Sequence, residues 1–319
     1  MQRIGILRGG VSPEYHLSLQ TGGNVSRALA DAGFEAIDML LDKDGVLHIK
    51  GIPADLEKAQ ASVDVVWNAL HGNFGEDGKA QHLLDQYAIP YTGSGAAASA
   101  RAFNKSTAKE TATSLGMHTP QSMLVMPEGT ESVSELTGRI YRTMAPPWVL
   151  KPLSGGGSVR SYFAYTPLEL AHIVEESIAH KDPFLVEQYI AGREAAVGVI
   201  NDFRNNEEYV LPVVEVKSPS RGILAHDIRR ADEAYAVPGG GFTADERETL
   251  TGMAKKLHAA FGADDYSQSE FIVDNRGKVW FIEFDTHPHL TDNAPFLVAL
   301  DAVGSSLKEF VQSIVNRKK

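Results

Sequence analysis

Short apolar runs alternate with segments of helical periodicity over roughly the first 95 residues. The first run is RIGIL, and after a glycine-containing loop SLQTGGNVSRALADAG has apolar residues at helical spacing, with Gly33 as its stop signal. EAIDMLL and VDVVWNAL read as further strands, and GKAQHLLDQYA reads as a helix. Strands that alternate with helices predict a parallel sheet. We therefore predict the α/β fold class, with a doubly wound parallel-sheet domain at the N-terminus.

Two polar, glycine-containing loops follow strands of this predicted sheet. They are RGGVSPEYHLS, after the first strand, and HGNFGEDGK, after VDVVWNAL. Ligands of doubly wound sheets bind outside the carboxyl ends of the strands. The two loops therefore mark the predicted ligand-binding edge.

The chain has 319 residues, which exceeds the usual size of one domain. We predict an N-terminal α/β domain at 1–95, a central unit at 96–182 and a C-terminal unit at 183–319. The last of these contains EYVLPVVEV, which reads as antiparallel strand.

Composition excludes several classes of protein. The net charge of −11 argues against a nucleic-acid partner, and the lack of cysteine excludes disulfides and thiolate sites. The N-terminus has no signal-peptide pattern, and no run approaches the roughly 18 apolar residues of a membrane span. We expect a cytoplasmic protein with no membrane segment.

Three acids flank a predicted β-hairpin in EFIVDNRGKVWFIEFDTHPHLT. The turn signal DNRG separates a strand that we predict to start at Glu270 from one that ends near Asp285, with Glu283 in the second strand. One reading places these acids on a solvent-exposed face, since residues i and i+2 share a face. The other reading is a Mg²⁺ site, because clustered carboxylates suit that ion together with substrate phosphates.

A phosphate site is predicted at VLKPLSGGGSV. A strand delivers Lys151, and the glycines after it let backbone N–H groups curl round an anion. A flexible turn is the alternative reading. Lys105, at the start of a helix in FNKSTAK, is a second charge suited to phosphate. The predicted glycine loop consists of Gly155, Gly156, Gly157 and Ser158.

A nucleotide-base site is predicted in FLVEQYIAGRE. Here Glu187 leaves a strand into a short linker whose backbone groups could pair with an adenine edge, and Glu194 could bind a ribose. The alternative is that both glutamates are solvated loop acids. The residues assigned to nucleotide binding here are Glu187, Gln188, Tyr189, Ile190 and Glu194.

Taken in order, these segments resemble the ATP-grasp superfamily and, within it, the D-alanine–D-alanine ligases. The resemblance covers most of the chain, and it is most specific from His71 to Gly78 and from Gly9 to Glu14. It implies an ATP-grasp fold in which a central small α+β domain and a C-terminal antiparallel-sheet domain follow the N-terminal one. It also implies ATP and D-alanine as small-molecule substrates and, as is usual in this family, a homodimer.

The resemblance assigns roles to the predicted site residues. Lys105 and Lys151 hold ATP phosphates and Glu194 holds the ribose. Glu14 receives the ammonium of the first D-alanine, and the Gly9-Gly10 loop and His71 line the same pocket. Two Mg²⁺ ions, with Mn²⁺ as an alternative, are held by Glu270, Glu283 and Asp285.

The implied reaction runs through an acyl phosphate. ATP phosphorylates the carboxylate of the first D-alanine, the amine of the second attacks, and phosphate leaves. Because an acyl phosphate must be kept from water, we expect a lid over residues 218–242. Of the family's lid pattern Asp227 remains, with Arg229 and Arg230 as the nearest cations. An ordinary surface loop is the alternative.

The sequence departs from the family pattern close to the chemistry. Gln268 replaces an arginine expected to stabilise the oxyanion, a role for which His289 or Arg160 is a substitute. A single preorganised donor is worth about 10²–10³ in rate. His289 and Ala294 alter the subsite for the second substrate, and Asp285 replaces an asparagine. The residues assigned to the chemistry are Glu14, His71, Ser158, Gln268 and His289.

Three functional hypotheses follow. The first is a divergent ligase that makes D-alanyl-D-alanine for peptidoglycan. The second keeps the acyl-phosphate chemistry with another acceptor, such as D-lactate or D-serine. The third is a nucleotide-binding homologue with weak activity.

Overall fold

The structure, a computed structural model, describes residues 1–155, 161–217 and 235–318. These residues form three sheets with helices packed against them, which confirms the predicted α/β class. None of the helices in the three described stretches is long and apolar enough to cross a membrane.

The N-terminal sheet is covered by helices on both faces. Its elements are β1 (Arg3–Gly9), α1 (Tyr15–Asp31), β2 (Glu35–Leu41), β3 (Leu47–Ile49), β4 (Ile52–Pro53), α2 (Leu56–Ser62), β5 (Val65–Asn68) and α3 (Lys79–Gln86). The strand order is β4-β3-β2-β1-β5, with β1 parallel to β2 and β5 and an antiparallel hairpin β3–β4 at the edge. Ile4 and Ile6 share a core with Leu29 of α1, while Leu7 faces the other way and shares a core with Leu84 of α3. The doubly wound prediction is therefore confirmed, with the edge hairpin as an addition.

The central sheet is antiparallel throughout. The elements of this region are α4 (Ala96–Phe103), α5 (Lys105–Ser114), β6 (Ser122–Val125), α6 (Val133–Thr143), β7 (Trp148–Pro152), β8 (Tyr162–Ala164), α7 (Pro167–Ala179) and β9 (Phe184–Gln188). The strand order is β6-β9-β7-β8. Ile140 of α6 and Leu170 of α7 are buried in one core with Trp148 of the sheet. By contrast, Ala108 and Ala112 of α5 belong to the core of the C-terminal sheet.

The C-terminal sheet is the largest of the three. The elements of this region are β10 (Gly192–Phe203), β11 (Asn206–Val210), β12 (Val214–Lys217), β13 (Tyr235–Pro238), α8 (Ala244–Phe261), β14 (Tyr266–Asp274), β15 (Val279–Asp285), α9 (Pro295–Ala302) and α10 (Leu307–Asn316). The strand order is β13-β12-β10-β14-β15, and β11 also pairs with β10. Phe261 of α8 packs on one face against Phe284, and Phe310 of α10 packs on the other against Tyr266. The predicted domain boundaries stay predictions.

The two ends of the chain meet in one core. The ring of Phe310 in α10 lies 6.0 Å from that of Trp67 in β5. Nearby, the buried carboxylate of Asp265 accepts a hydrogen bond from the Gly93 backbone N–H at 2.7 Å. Arg317 Nη1 and Lys318 Nζ lie 3.1 and 3.0 Å from the oxygens of the same carboxylate. We call Gly93, Asp265, Arg317 and Lys318 the C-terminal clamp.

Three predicted elements differ from the structure. β14 begins at Tyr266, so Glu270 lies inside the strand and not at its start. The run EYVLPVVEV is two strands, because Pro212 between them has no N–H to donate to a sheet. Residues 218–234 of the predicted lid lie outside the described residues, whereas Tyr235–Pro238 is strand β13, paired with β12, and not loop.

Candidate active site

A cavity of about 900 Å³ lies where the two N-terminal loops meet the central and C-terminal sheets. This volume is typical of ligand pockets. Gly9 and Gly10, which were predicted to line the substrate pocket, are not among the described residues that line this cavity. The other predicted site residues that the structure describes line it: Glu14, His71, Lys105, Lys151, Glu187, Gln188, Tyr189, Ile190, Glu194, Gln268, Glu270, Glu283, Asp285 and His289. Other predicted residues lie outside the described residues: Gly156, Gly157, Ser158 and Arg160 of the glycine loop, and Asp227, Arg229 and Arg230 of the lid.

The two predicted phosphate lysines enter the cavity from different elements. Lys105 is the first residue of α5, whose N-cap Asn104 accepts hydrogen bonds from the N–H groups of Ser106 and Thr107 at 3.1 Å. Its backbone N–H donates to the Leu153 carbonyl at 3.0 Å, which ties the helix to the chain leaving β7. Lys151 lies near the end of β7. Both side chains are mostly buried, which strengthens the attraction of their ammonium groups for an anion.

Glu187 is a buried strand residue and not a linker residue as predicted. It lies in β9 with 4% of its surface exposed, so the alternative reading as a solvated loop acid is wrong for it. Its carboxylate accepts from Lys109 Nζ at 2.7 Å and lies 2.8 Å from Lys151 Nζ. Lys109 was not predicted; its spacing of four residues from Lys105, one turn of helix, is the signal that could have found it.

The predicted adenine segment joins β9 to β10. The N–H groups of Gln188 and Tyr189 already donate to the carbonyls of Gln121 and Pro147, at 2.9 and 3.0 Å. These two donors are therefore engaged before any ligand binds. Glu194 is in strand β10 and half-buried, and not in a loop.

The acidic hairpin presents its polar side chains to the cavity. In the register of β14 and β15, Glu270 pairs with Glu283 and Gln268 pairs with Asp285. The reading in which these acids face bulk solvent is therefore wrong. Burial, with the neighbouring carboxylates of Glu76 and Glu283, raises the pKa of Asp285 well above its usual range. Ionising Asp285 beside the other carboxyl groups of this wall is therefore costly without a cation.

The donor set on this hairpin fits a hard cation such as Mg²⁺. All the side chains offered are carboxylates, and their mutual repulsion is what a cation relieves. Across residues 1–155, 161–217 and 235–318, no three acidic or histidine side chains already stand in the arrangement of a metal site. One reason is that Glu283 Oε1 accepts a hydrogen bond from Lys105 Nζ at 2.8 Å. A metal site would therefore require this side chain to turn.

Glu14 lies at the junction of the two N-terminal loops. The Ser12 hydroxyl donates to the His71 carbonyl at 2.6 Å and accepts from the Glu14 N–H at 3.2 Å. Gly72 comes so close that an added Cβ would be 2.3 Å from Glu14 Oε2. Burial, together with the charges of Glu76 and Glu283, raises the pKa of Glu14 to about 8. A cationic ligand beside this carboxyl would stabilise its ionised form.

His71 is fully buried and hydrogen-bonded at both ring nitrogens. Nδ1 is 3.0 Å from Glu76 Oε1, and Nε2 is 2.9 Å from the Thr21 hydroxyl. Burial lowers the pKa of His71 to about 4, so the ring is neutral at physiological pH, and burial also raises the pKa of Glu76 to about 8. Glu76 lines the cavity but was not predicted as a site residue, although it lies in the HGNFGEDG motif.

The altered residues lie on the same wall. Gln268 Nε2 is 3.5 Å from Glu270 Oε1, and His289 Nδ1 is 2.9 Å from the Thr291 hydroxyl. The His289 ring lies 6.4 Å from the ring of His71, while Ala294 is buried as the N-cap of α9 without a side-chain cap. Neutral side chains therefore occupy the positions at which the family pattern has an arginine and a serine.

Comparisons with known proteins agree with this geometry. A family model described as the D-ala D-ala ligase C-terminus matches residues 112–316, and the corresponding N-terminus model matches residues 47–94. The D-alanine–D-alanine ligase of Halalkalibacterium halodurans is 32% identical to this chain over 317 residues, with 98% of each chain covered.

Solved structures show the same fold over the whole chain. The VanG D-Ala:D-Ser ligase from Enterococcus faecalis has a TM-score of 0.85 at 20% identity, covering 100% of this chain and 99% of that one. The D-alanine–D-alanine ligase from Bacillus anthracis complexed with ATP has a TM-score of 0.80 at 23% identity, covering 100% and 97%. The predicted ATP-grasp fold is confirmed. With its sequence matched by both family models, the chain belongs to the D-alanine–D-alanine ligase family.

Proposed function

We propose that the protein joins two D-alanine molecules into D-alanyl-D-alanine for peptidoglycan, with ATP as the energy source. A carboxylate oxygen of the first D-alanine attacks the γ-phosphorus, and ADP leaves. The amine of the second attacks the acyl carbon, phosphate leaves with the acyl oxygen, and the amine loses a proton. The observation that carries the proposal is one cavity lined by buried lysines, by acidic strands and by Glu14.

For ATP, we assign the phosphates to Lys105 and Lys151. Lysine ammonium groups act as point charges for phosphate, and their burial strengthens the attraction. The glycine loop, with Gly156, Gly157 and Ser158, completes this part of the assignment. The nucleoside is assigned to Glu194 and to the segment from Glu187 through Gln188, Tyr189 and Ile190.

For the metal, we assign Mg²⁺, with Mn²⁺ as an alternative, to Glu270, Glu283 and Asp285. When bound, the ions neutralise phosphate charge during transfer. Support comes from the carboxylate donors that share one face of the β14–β15 hairpin.

For the first D-alanine, we assign the ammonium to Glu14, whose buried carboxyl favours a cationic partner. His71 stays neutral and shapes the same pocket through its bonds to Thr21 and Glu76. The residues that we propose to contact the reacting groups are Glu14, His71, Ser158, Gln268 and His289. For such a ligase we also propose a homodimer in the cytoplasm, where ATP is supplied.

A second candidate function changes the acceptor. It is favoured by the neutral Gln268, by His289 and by Ala294 on the wall of the second subsite. A similar fold is found in a D-Ala:D-Ser ligase. In this candidate, the amine of D-serine or the hydroxyl of D-lactate attacks the acyl carbon of the acyl phosphate, so that the D-alanyl group is transferred, phosphate leaves and the attacking group loses its proton.

The test is phosphate release from Mg·ATP in the presence of D-alanine, with L-alanine and no amino acid as controls, followed by mass analysis. We expect phosphate that depends on D-alanine and a product with the mass of D-alanyl-D-alanine. Phosphate without dipeptide would support the other acceptors, which would then be supplied in turn. No phosphate, with a melting temperature that ATP still raises, would leave only a nucleotide-binding homologue.

A further inference from the structure

A buried chain of three charged side chains lies behind the phosphate end of the cavity. Lys109 of α5 and Lys151 of β7 each contact a different oxygen of the Glu187 carboxylate, at 2.7 and 2.8 Å. The side chains of all three are at least nine-tenths buried. Lys151 and Glu187 line the cavity, whereas Lys109 is not among the described residues that line it. Lys109 therefore reaches the site only through Glu187.

The charges of this triad are unequal. Two ammonium groups share one carboxylate, which leaves one net positive charge beside the cavity. Burial alone would raise the pKa of Glu187, but Lys151 and Lys109 outweigh it and hold that pKa below its usual value. Glu187 is therefore an anion, and it competes with any phosphate for the lysines around it.

The second lysine changes what happens when an anion enters. With Lys109 in place, Lys151 can turn its hydrogens to a phosphate while Glu187 keeps a cationic partner. Without Lys109, the same turn leaves a buried carboxylate unpaired and facing the phosphates. Uncompensated buried charges of this kind are strongly unfavourable.

We propose that Lys109 is a positioning residue for ATP, which neutralises Glu187 so that Lys151 is released to bind phosphate. This inference rests on the proposed function, because it takes ATP as the ligand of Lys151. Lys109 does not contact the nucleotide. It acts by neutralising the Glu187 carboxylate beside the phosphates.

The experiment measures binding of the Mg complex of an ATP analogue with an imido β–γ bridge, by titration calorimetry on the full chain. We expect Lys109→Met to weaken binding about tenfold or more, which is the scale of one unpaired buried charge. In turnover, the KM for ATP should rise while the KM for D-alanine stays within threefold. Lys255→Met, which removes an exposed lysine paired with Glu208, is the matched control and should bind as the wild type does.

A double variant separates this role from a structural one. Glu187→Gln removes the competing anion, so adding Lys109→Met to Glu187→Gln should change the affinity of that single variant by no more than about threefold. Lys109→Arg, which keeps the charge and the hydrogen bond, should also stay within threefold. The proposal is overturned if Lys109→Met binds as the wild type does, if Lys109→Met weakens binding as much in the Glu187→Gln background as in the wild type, or if Lys109→Arg binds as weakly as Lys109→Met.

The outcome is distinguishable from failure of the proposed function. A wild-type protein that makes no dipeptide removes the ligase proposal, yet the analogue-binding series still tests Lys109. Conversely, a wild-type protein that makes dipeptide while Lys109→Met binds the analogue normally removes only the positioning role.

Discussion

At the scale of single residues, buried carboxyl groups crowd one side of the cavity. Burial is the main cause that raises the pKa values of Glu14 and Glu76 to about 8, and it also raises the pKa of Asp285 well above its usual range. A cation placed among these groups would favour their ionised forms. The site therefore suits a substrate with an ammonium group and a phosphate that binds together with metal ions.

Gln268 is the neutral residue that stands where the family pattern has an arginine. We expect Gln268→Arg to change kcat by less than tenfold, because the new cation lies opposite Asp285 and beside Glu270 and pairs with them. The measurement is kcat for dipeptide at saturating ATP and D-alanine. Gln268→Leu, which is similar in size, is the control for loss of the amide. A gain in kcat approaching 10² would contradict the expectation, because a gain of that size is what an added oxyanion donor is expected to give.

Sequence reasoning reached most residues around the cavity but missed the groups behind them. Lys105 and Lys151 stand in recognisable motifs, whereas Lys109 matters only because α5 turns it towards Glu187. Glu76 reaches His71 because the loop after β5 folds back on itself, through the Glu76 N–H bond to the Gly72 carbonyl. Such partnerships depend on packing between elements, which one sequence does not display.

At the scale of elements, the loops after β1 and β5 form one surface. Ser12 of the first loop bonds to His71 of the second, and Gly72 leaves space for the side chain of Glu14. Gly72 has φ +71°, a left-handed conformation that favours glycine. Glycine is therefore needed here both for this backbone conformation and because it has no Cβ. The substrate pocket therefore depends on how closely these loops approach.

Gly72→Ala tests this approach directly. The added Cβ would lie 2.3 Å from Glu14 Oε2 and 3.0 Å from Ser12 Oγ, so Glu14 must move. We expect the KM for D-alanine to rise about tenfold or more, while the affinity for the ATP analogue stays within threefold. Steady-state kinetics with varied D-alanine provide the measurement.

Gly51→Ala is the matched control for the backbone effect alone. Gly51 has φ +78°, but nothing lies within 4 Å of an added Cβ. Both variants should lose about 1–2 kcal/mol of stability from the left-handed conformation, and only Gly72→Ala should change the KM. Equal kinetics in the two variants would mean that contact with Glu14 has no role.

The elements themselves were predicted well where periodicity was strong. β2 coincides with EAIDMLL, and the turn at Asp274–Gly277 separates β14 from β15. The start of β14 was missed because YSQS is polar, yet Ser267, Gln268 and Ser269 are buried between neighbouring strands. A polar sequence in a central strand hides the strand from pattern analysis.

At the scale of the whole molecule, the C-terminal clamp joins distant parts of the chain. Asp265 is fully buried, and Arg317, Lys318 and the Gly93 N–H all contact it. Burial raises the pKa of Asp265 to about 6, even with the lysine beside it. The carboxyl is therefore charged well above pH 6 and takes up a proton below it.

Arg317→Ala should destabilise the protein in a pH-dependent way. Since the folded-state pKa of Asp265 is already raised, removing a cation raises it further, and the stability of the variant falls more steeply as pH increases. We expect a loss of about 3 kcal/mol at pH 8, typical of a broken buried pair, and a smaller loss at pH 5. Urea denaturation at the two pH values provides the measurement.

Lys255→Ala is the control for this prediction. Its pair with Glu208 is exposed, so its loss should be within about 1 kcal/mol at both pH values. An Arg317→Ala loss that is equal at pH 5 and pH 8 would exclude Asp265 as the group responsible. None of the clamp was predicted, because Gly93 lies 172 positions from Asp265 and the two cations stand at a distant helix end.

The core shared by the two ends of the chain has a consequence for synthesis on the ribosome. Phe310 and Ile314 of α10 are buried in the same cluster as Ile6 and Trp67 of the N-terminal sheet. The strands that hold Ile6 and Trp67 are translated long before α10, which packs on them together with α1. The part of this apolar face that α10 covers therefore stays exposed until α10 has been translated, so the N-terminal sheet is completed only after all strands of the C-terminal sheet have been made.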